Sequence, residues 1–93
     1  MLRHVVVWTM APGKDDALHP LLAGMERLPD EIDAIEALSC GPLLNESPYD
    51  AVLCVDVANE KALATYRAHP AHQPILEDLA QVATNVVVAD YLF

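Results

Sequence analysis

The chain has 93 residues, of which 54% are apolar and 20% charged, and 14 acidic against 5 basic side chains give it a formal net charge of -9. This length predicts a single domain, residues 1–93, because a second hydrophobic core has no room to form. The apolar fraction excludes the composition of a disordered chain. Nucleic acid and anionic membrane surfaces are poor partners, because phosphate binding depends on clustered Lys and Arg.

The apolar runs of the chain argue against a membrane protein. The longest ones, Val5–Trp8 and Val86–Ala89, are strand-sized and much shorter than the ~20 residues that span a bilayer. The N-terminus also lacks the basic and then apolar pattern of a secretion signal. We therefore expect a cytoplasmic location. Cys40 and Cys54 fall in predicted strands, and in a cytosolic chain we expect them to be buried thiols rather than a disulfide.

Hydrophobic periodicity predicts four strands with helices between them. Short β-branched runs bounded by turn residues are typical of strands, and apolar residues three to four positions apart are typical of helices. The predicted elements are a strand at Arg3–Met10, a helix at Asp16–Leu28, strands at Ala34–Cys40 and Tyr49–Val57 joined by a loop at Gly41–Pro48, helices after Asn59 and from Pro74, and a strand at Asn85–Phe93. This order, βαββαβ with a split second helix, is the ferredoxin-like α+β arrangement.

Individual residues predict where the helices begin and end. Asp15 or Asp16 is expected to cap the first helix. Pro20 requires that helix to begin late or to bend, because a proline beyond the first turn removes a hydrogen bond. Asn59 is expected to cap the second helix, and Pro70 to end it by disfavouring helical geometry at the preceding residue.

The predicted strands are apolar on both faces of the sheet. In the first strand Val5 and Val7 point one way while Val6 and Trp8 point the other, and the third and last strands repeat this pattern. The helices of this fold cover only one face of the sheet. An exposed apolar face of several hundred Å2 is rare on a soluble monomer. We therefore expect a homodimer, a dimeric α+β barrel in which two sheets pack face to face.

Histidine can exchange protons near neutral pH, and the chain has four, at positions 4, 19, 69 and 72. Two of them lie in the run from Tyr66 to His72, where prolines restrict the backbone between helical pieces. Tyr66 precedes His69 by three residues, a spacing compatible with a general acid/base pair. A structural interpretation stays open, with His69 at the helix C-terminus, Tyr66 in the core and His72 on the surface.

The sequence predicts neither a metal nor another cofactor. The His-x-x-His spacing of His69 and His72 crosses a proline-broken turn, and no nearby residue supplies a third ligand. The chain also has no Gly-rich phosphate loop, nucleophile elbow or Cys-x-x-Cys motif.

Four short segments, spread over nearly the whole chain, resemble the stress-responsive α/β-barrel (Dabb) family. They are Arg3-His4-Val5-Val6, Tyr49-Asp50, Tyr66-Arg67-Ala68-His69-Pro70-Ala71-His72 and Ala89-Asp90-Tyr91. The resemblance implies a dimeric α+β barrel. The family includes plant stress-associated proteins, bacterial members without an assigned reaction, and the polyketide cyclase olivetolic acid cyclase.

The resemblance to the cyclase implies that Tyr66 and His72 are a catalytic pair and that His4 and Asp90 line the same site. His72 would take a proton from an acidic methylene, and Tyr66 would donate to a carbonyl oxygen that gains charge. Asp90 or His4 would set the tautomer and pKa of the imidazole. We expect three further residues to bind substrate, namely His69, Trp8 and Tyr91.

Two positions depart from the cyclase and imply a different substrate. Ala51 stands where the cyclase has a histidine, and Ala23 and Gly24 stand where it has a tyrosine. We expect a small-molecule acid/base enzyme that closes or isomerises a β-keto or aromatic compound without a cofactor. Two alternatives stay open: a non-catalytic stress-responsive or ligand-binding barrel, and a cofactor-independent monooxygenase.

Overall fold

A computed structural model describes residues 1–45 and 47–93. Its elements are β1 (Leu2–Met10), α1 (Leu18–Glu26), α2 (Leu28–Glu31), β2 (Ala37–Pro42), β3 (Ala51–Val57), α3 (Glu60–Ala68), α4 (Gln73–Val82) and β4 (Ala83–Leu92), with 3-10 turns at Asp15–Ala17 and Pro70–His72. The ferredoxin-like α+β order is confirmed. Glu46, within the loop predicted at Gly41–Pro48, lies outside the described residues.

The four strands form one antiparallel sheet in the order β2-β3-β1-β4. β1 lies at the centre and pairs with both β3 and β4, so that His4 has Val55 on one side and Asp90 on the other. β2 and β4 are the edge strands. This register therefore brings a histidine near the start of the chain beside an aspartate near its end.

The helices cover the face of the sheet that carries the core. Alternate residues of β1 and β3 are buried there, namely Leu2, His4, Val6, Trp8, Met10, Ala51, Leu53, Val55 and Val57. Removing one such aliphatic or aromatic side chain from water contributes about 1.5–3 kcal/mol to folding. Among the described residues, His4 and His72 are the buried polar side chains. Both lie in the candidate site.

The other face of the sheet, which we call the open face, has no helix against it. Its central part consists of Val5 and Val7 of β1, Val52 of β3 and Val87 of β4, since Val7 pairs with Val52 on one side and Val87 on the other. Val5, Val7 and Val52 are half-buried by their neighbours, whereas Val87 is 43% exposed. The expectation that both faces of the sheet are apolar therefore holds at the centre of the sheet.

The first helical segment differs from the prediction of one helix at Asp16–Leu28. The structure divides it into a 3-10 turn, α1 and α2. Pro20 is the third residue of α1, where the helix needs no N–H donor, so the helix begins at Leu18 instead of bending. The predicted cap at Asp15 or Asp16 is wrong, because both residues lie inside the 3-10 turn and neither α1 nor that turn has a side-chain cap.

Several strand boundaries differ from the prediction: β1 begins one residue earlier, β2 ends at Pro42 rather than Cys40, and β4 spans Ala83–Leu92 rather than Asn85–Phe93. The starts of β2 and β3 differ as well, each for a visible reason. β2 begins at Ala37 rather than Ala34, because Ile35 is buried in a turn in which its N–H donates to the carbonyl of Ile32. β3 begins at Ala51 rather than Tyr49. The carboxylate of Asp50 instead accepts a hydrogen bond of 2.7 Å from the backbone N–H of Met10 at the end of β1. Tertiary contacts thus set both boundaries.

The predicted signals around the second helical segment are confirmed. Asn59 Oδ1 accepts a hydrogen bond of 2.9 Å from the N–H of Ala62, which caps α3. His69 has an extended backbone and ends α3 directly before Pro70. α4 begins at Gln73, one residue earlier than predicted. None of the helices in residues 1–45 and 47–93 has the length and apolar character needed to cross a membrane.

Candidate active site

Four polar side chains meet between the C-terminal end of α3, β1 and β4. His4 comes from β1, Tyr66 from α3, His72 from the 3-10 turn and Asp90 from β4. The ring centroids of Tyr66 and His72 are 4.4 Å apart, and those of His4 and Tyr66 are 5.9 Å apart in an edge arrangement. The four residues that the resemblance assigns to one site therefore form one cluster.

The local sequence explains how His72 reaches Tyr66. α3 ends at Ala68, and Pro70 starts the 3-10 turn that folds the chain back over the last turn of the helix. His69 Nδ1 accepts a hydrogen bond of 3.0 Å from the N–H of Ala71 and so fixes the shape of this turn. The turn places the His72 ring against the phenol of Tyr66.

The surroundings of His72 set both its tautomer and its charge. Its Nδ1 lies 3.2 Å from the carbonyl oxygen of Arg67. A carbonyl only accepts, so Nδ1 carries the proton and Nε2 of the neutral ring keeps its lone pair. Burial lowers the pKa of His72 below its usual value of 6.5, and the charges of His4 and Arg67 lower it further against the opposing effect of the backbone hydrogen bond. The ring is therefore neutral at pH 7.

Tyr66 supplies a hydrogen-bond donor that the protein itself does not use. Its side chain is 0% exposed, and its hydroxyl has no hydrogen-bond partner among the described residues. Burial raises the pKa of the phenol to about 12, so the hydroxyl keeps its proton. A buried polar group without a partner costs about 1–3 kcal/mol. An oxygen acceptor from a ligand would remove this cost.

Asp90 connects His4 to Arg67. Its Oδ1 lies 2.6 Å from His4 Nδ1, and its Oδ2 accepts a hydrogen bond of 3.1 Å from Arg67 Nη2. Because an ionised carboxylate only accepts, His4 Nδ1 is the protonated nitrogen, and its tautomer is set by Asp90. Arg67 was not among the site residues predicted from the sequence. Its position inside the Tyr66–His72 run, in a chain with only 5 basic residues, could have indicated it.

A cavity of about 280 Å3 opens beside this cluster. Its polar lining consists of His4, Tyr66, Arg67 and His72. Its apolar lining comes from the sheet, α1 and α4 and consists of Val6, Met25, Leu53, Ile75, Leu76, Leu79, Val86 and Val88. The volume is at the small end of the range usual for ligand pockets. The arrangement therefore suits a compact ligand that carries a few oxygen atoms.

The three residues expected to bind substrate lie outside the lining of this cavity. Trp8 is fully buried in the core, and Tyr91 lies on the open face, where its hydroxyl accepts a hydrogen bond of 3.1 Å from Arg3. His69 is the C-terminal cap residue of α3, where its backbone N–H donates to the carbonyl of Tyr66, while its side chain shapes the turn. His72 is 7% exposed, so its interpretation as a surface residue is wrong.

The positions that depart from the cyclase also affect the cavity. Gly24 of α1 faces α4 so closely that an added Cβ would lie 3.0 Å from Cδ1 of Ile75, which lines the cavity. A larger residue at this position would therefore require Ile75 to shift. Within residues 1–45 and 47–93, no group of three His, Cys, Asp or Glu side chains is placed to hold a metal ion.

The model of the stress responsive A/B barrel domain (Dabb) family matches residues 2–93. The ferredoxin-like fold and this match over nearly the whole chain show that the protein belongs to the Dabb family. A comparison with curated proteins gave no significant match.

Solved structures with the same fold include proteins of several kinds. A dimeric protein of unknown function from Bacteroides fragilis is 21% identical, with a TM-score of 0.90 over 99% of this chain and 95% of that one. The hydroxynitrile lyase of Passiflora edulis is 11% identical, with a TM-score of 0.88 over 99% and 92%. A proposed antibiotic biosynthesis monooxygenase from Deinococcus radiodurans is 15% identical, with a TM-score of 0.83 over 100% and 92%. These likenesses show the fold.

The lowered pKa of His72 gives a first prediction. In an NMR titration, the imidazole of His72 should change protonation with a midpoint below pH 6.5. Well above pH 6.5 the imidazole is neutral in both the folded and the unfolded chain. As the pH falls through 6.5, the unfolded chain takes up the proton first, so this residue lowers the free energy of unfolding on the acid side. The variant His72→Asn assigns the resonance by its disappearance, and a midpoint at or above 6.5 would contradict the neutral base.

The unpaired hydroxyl of Tyr66 gives a second prediction. Tyr66→Phe keeps the buried ring and removes only the oxygen that lacks a partner. The free energy of unfolding, measured with urea, should stay unchanged or rise by about 1 kcal/mol, because the desolvated hydroxyl is gone. A decrease in the free energy of unfolding would contradict this prediction, because it would show that the hydroxyl makes a contact needed for folding.

Proposed function

We propose that the protein is a small-molecule acid/base enzyme, similar to a polyketide cyclase, that closes or isomerises a β-keto or aromatic substrate. The observation that carries the proposal is the pairing of two unused groups in one cavity. The Tyr66 hydroxyl has no hydrogen-bond partner among the described residues. In His72, Nδ1 donates to the carbonyl of Arg67, which leaves the lone pair of Nε2 available. One group donates a proton or hydrogen bond and the other accepts a proton, as general acid/base catalysis requires.

Both groups fit the steps of an aldol-type closure. His72 Nε2 takes a proton from a methylene between two carbonyl groups, and the electron pair of the C–H bond moves into the enolate. The enolate carbon then attacks a second carbonyl carbon, whose oxygen becomes an alkoxide. The Tyr66 hydroxyl donates a hydrogen bond to the oxygen that gains charge, and the proton on His72 returns to the alkoxide. An isomerisation uses the first proton transfer and returns the proton to a different atom.

His4 and Asp90 support this chemistry by holding the polar wall of the cavity in place. This wall consists of His4, Tyr66, Arg67 and His72. The 2.6 Å contact between His4 Nδ1 and Asp90 fixes the His4 ring against the edge of Tyr66. A group locked in this way loses little freedom when a substrate binds. A substrate that fills the cavity would, together with the surrounding aliphatic side chains, displace water, and this strengthens each hydrogen bond to the developing charge.

The size of the cavity supports a compact substrate. A volume of about 280 Å3 suits a single ring or a short chain. Gly24 lies close to Ile75, so a side chain in the position where the cyclase has a tyrosine would require Ile75 to move. The lining here is therefore shaped differently, which agrees with the expectation of a different substrate.

A ligand-binding protein without catalysis is the second candidate. The same unpartnered hydroxyl favours it, because any ligand oxygen that reaches Tyr66 would satisfy a buried donor. Binding that persists with no turnover would favour this candidate. The monooxygenase alternative has no comparable observation in the cavity that supports it.

We also propose that the protein acts as a homodimer through its open face. A chain of 93 residues buries only about 60–65% of the surface of its unfolded form, so burial by a partner stabilises it strongly. The open face offers a continuous apolar surface on β1, β3 and β4. The related Bacteroides fragilis structure is described as dimeric. A second copy of the sheet would cover these residues.

The catalytic proposal predicts a separation of roles between two variants. His72→Asn keeps a donor to the Arg67 carbonyl, since the amide nitrogen takes the place of Nδ1, but removes the base. We expect turnover of short linear β-keto thioesters to fall by about 100- to 10,000-fold. Tyr66→Phe should lower kcat by about 100- to 1,000-fold. Product formation is followed by chromatography of the cyclised compound.

The matched control is His19→Asn, because His19 is an exposed histidine of α1 outside the cavity. Its turnover should equal that of the unaltered protein. Turnover that survives His72→Asn would remove His72 from the mechanism. If the unaltered protein turns over no member of the panel but still binds β-keto compounds, the ligand-binding candidate replaces the enzyme.

The dimer proposal predicts the effect of a charge on the open face. Val87→Asp places a carboxylate beside Val7 at the centre of this face and should convert the dimer to a monomer. Leu44→Asp is the control, because Leu44 is 100% exposed in the loop after β2. Sedimentation equilibrium measures the mass of each. The proposal fails if the unaltered chain sediments as a monomer, or if Val87→Asp leaves the dimer intact.

A further inference from the structure

Arg67 is the permanent cation of the cavity. Among the described residues that line it, the other polar side chains are His4, Tyr66 and His72. No carboxylate belongs to this lining, although the whole chain has a net charge of -9. In the described structure, Arg67 and the Tyr66 hydroxyl have donors without a protein partner, while His72 offers the lone pair of Nε2. The charge of Arg67 and the hydroxyl of Tyr66 thus make this a local site for an acceptor or a negative charge in an otherwise acidic protein.

Most donors of Arg67 are unused. A guanidinium has five N–H groups in a planar fork, and in the described structure one of them, on Nη2, reaches Asp90. The Arg67 side chain is 51% exposed, so its contact with Asp90 is a surface ion pair of the kind that contributes little to stability. A ligand anion can therefore bind the free N–H groups, or replace Asp90, at little cost.

Arg67 lines a second space as well as the cavity. This outer groove has a volume of about 640 Å3 and is lined by Leu2, Glu60, Leu63, Ala64, Ala68 and Asp90 together with Arg67. The groove contains two carboxylates, those of Glu60 and Asp90, whereas the cavity contains none. An anion is therefore favoured on the cavity side of the guanidinium. The groove side suits a neutral or apolar part of the same ligand.

A comparison with Arg3 shows why Arg67 is suited to ligand binding. On the open face, Arg3 Nε and Nη2 donate to the two oxygens of Asp56 at 2.7 and 3.0 Å. Its fork is already filled in the bidentate manner that arginine prefers with carboxylates. The guanidinium of Arg67 makes a single contact with the carboxylate of Asp90. Arg67 also lines the cavity that contains Tyr66 and His72.

We propose that Arg67 is the specificity-determining residue of the cavity and that its ligand is a small β-keto or aromatic carboxylate. The carboxylate accepts from the free N–H groups of Arg67, while a neighbouring carbonyl oxygen accepts from Tyr66. This inference rests on the proposed function for the β-keto chemistry, but the recognition of a carboxylate is a separate property. It predicts that an acid is preferred over a neutral compound of the same shape.

Benzoate and benzamide are matched probes for this preference, because they share a ring and differ in charge. Isothermal titration of the full-length protein should show benzoate binding about tenfold more tightly than benzamide. Arg67→Gln should abolish the preference, and Arg67→Lys should retain part of it because the charge remains. Arg27→Gln is the control, because Arg27 is an exposed arginine outside both the cavity and the groove. Added salt should weaken benzoate binding selectively.

Equal binding of the two probes, binding of neither probe, or a preference that survives Arg67→Gln would overturn the inference. Its failure is distinguishable from failure of the proposed catalysis. If benzoate is preferred through Arg67 while no β-keto compound is turned over, the proposal of carboxylate recognition is kept and the catalytic proposal is rejected. If turnover depends on His72 while acids and amides bind equally, the catalytic proposal is kept and the role of Arg67 is rejected.

Discussion

The antiparallel register between β1 and β4 places His4 opposite Asp90, and the polar wall of the site depends on this pairing. Side chains alternate between the faces of a sheet, so a slip of one residue would turn every side chain of β4 to the other face. Asp90 would then point to the open face, and both His4 and Arg67 would lose their carboxylate. His4 lies on the buried face of β1, because the same alternation that buries Val6 and Trp8 under the helices also turns its side chain inward.

The site combines two buried groups whose burial opposes charge. Tyr66 and His72 are both buried, and burial raises the pKa of the phenol while it lowers that of the imidazole. Desolvation therefore drives the pair toward two neutral rings, one with a proton to donate and one with a lone pair. The fold bears the cost of an unpaired hydroxyl at this position. Such a local departure from good packing and pairing is common where a protein binds or transforms a ligand.

Much of the fold could be predicted from local sequence signals, and less of the site. The alternation in β1, the cap at Asn59 and the break at Pro70 are local, and each appears in the structure where its residues predict it. The start of β2 was missed because the burial of Ile35 depends on distant elements. Spacing suggested a pair of Tyr66 with His69, whereas the observed neighbour of Tyr66 is His72. The pair of Tyr66 with His72 and the nearness of His4 and Asp90 were implied by the family resemblance, since strand pairing over a long separation leaves no mark in spacing.

β4 connects the two proposals, because its two faces serve different purposes. Val86 and Val88 point into the cavity and are 44% and 50% exposed, while Val87 belongs to the open face. β4 is an edge strand and pairs only with β1 among the described strands. In the proposed dimer, a second sheet against Val87 would restrain this strand and with it the carboxylate of Asp90. Assembly would then position the polar wall of the site, although no residue of a second copy need enter the cavity.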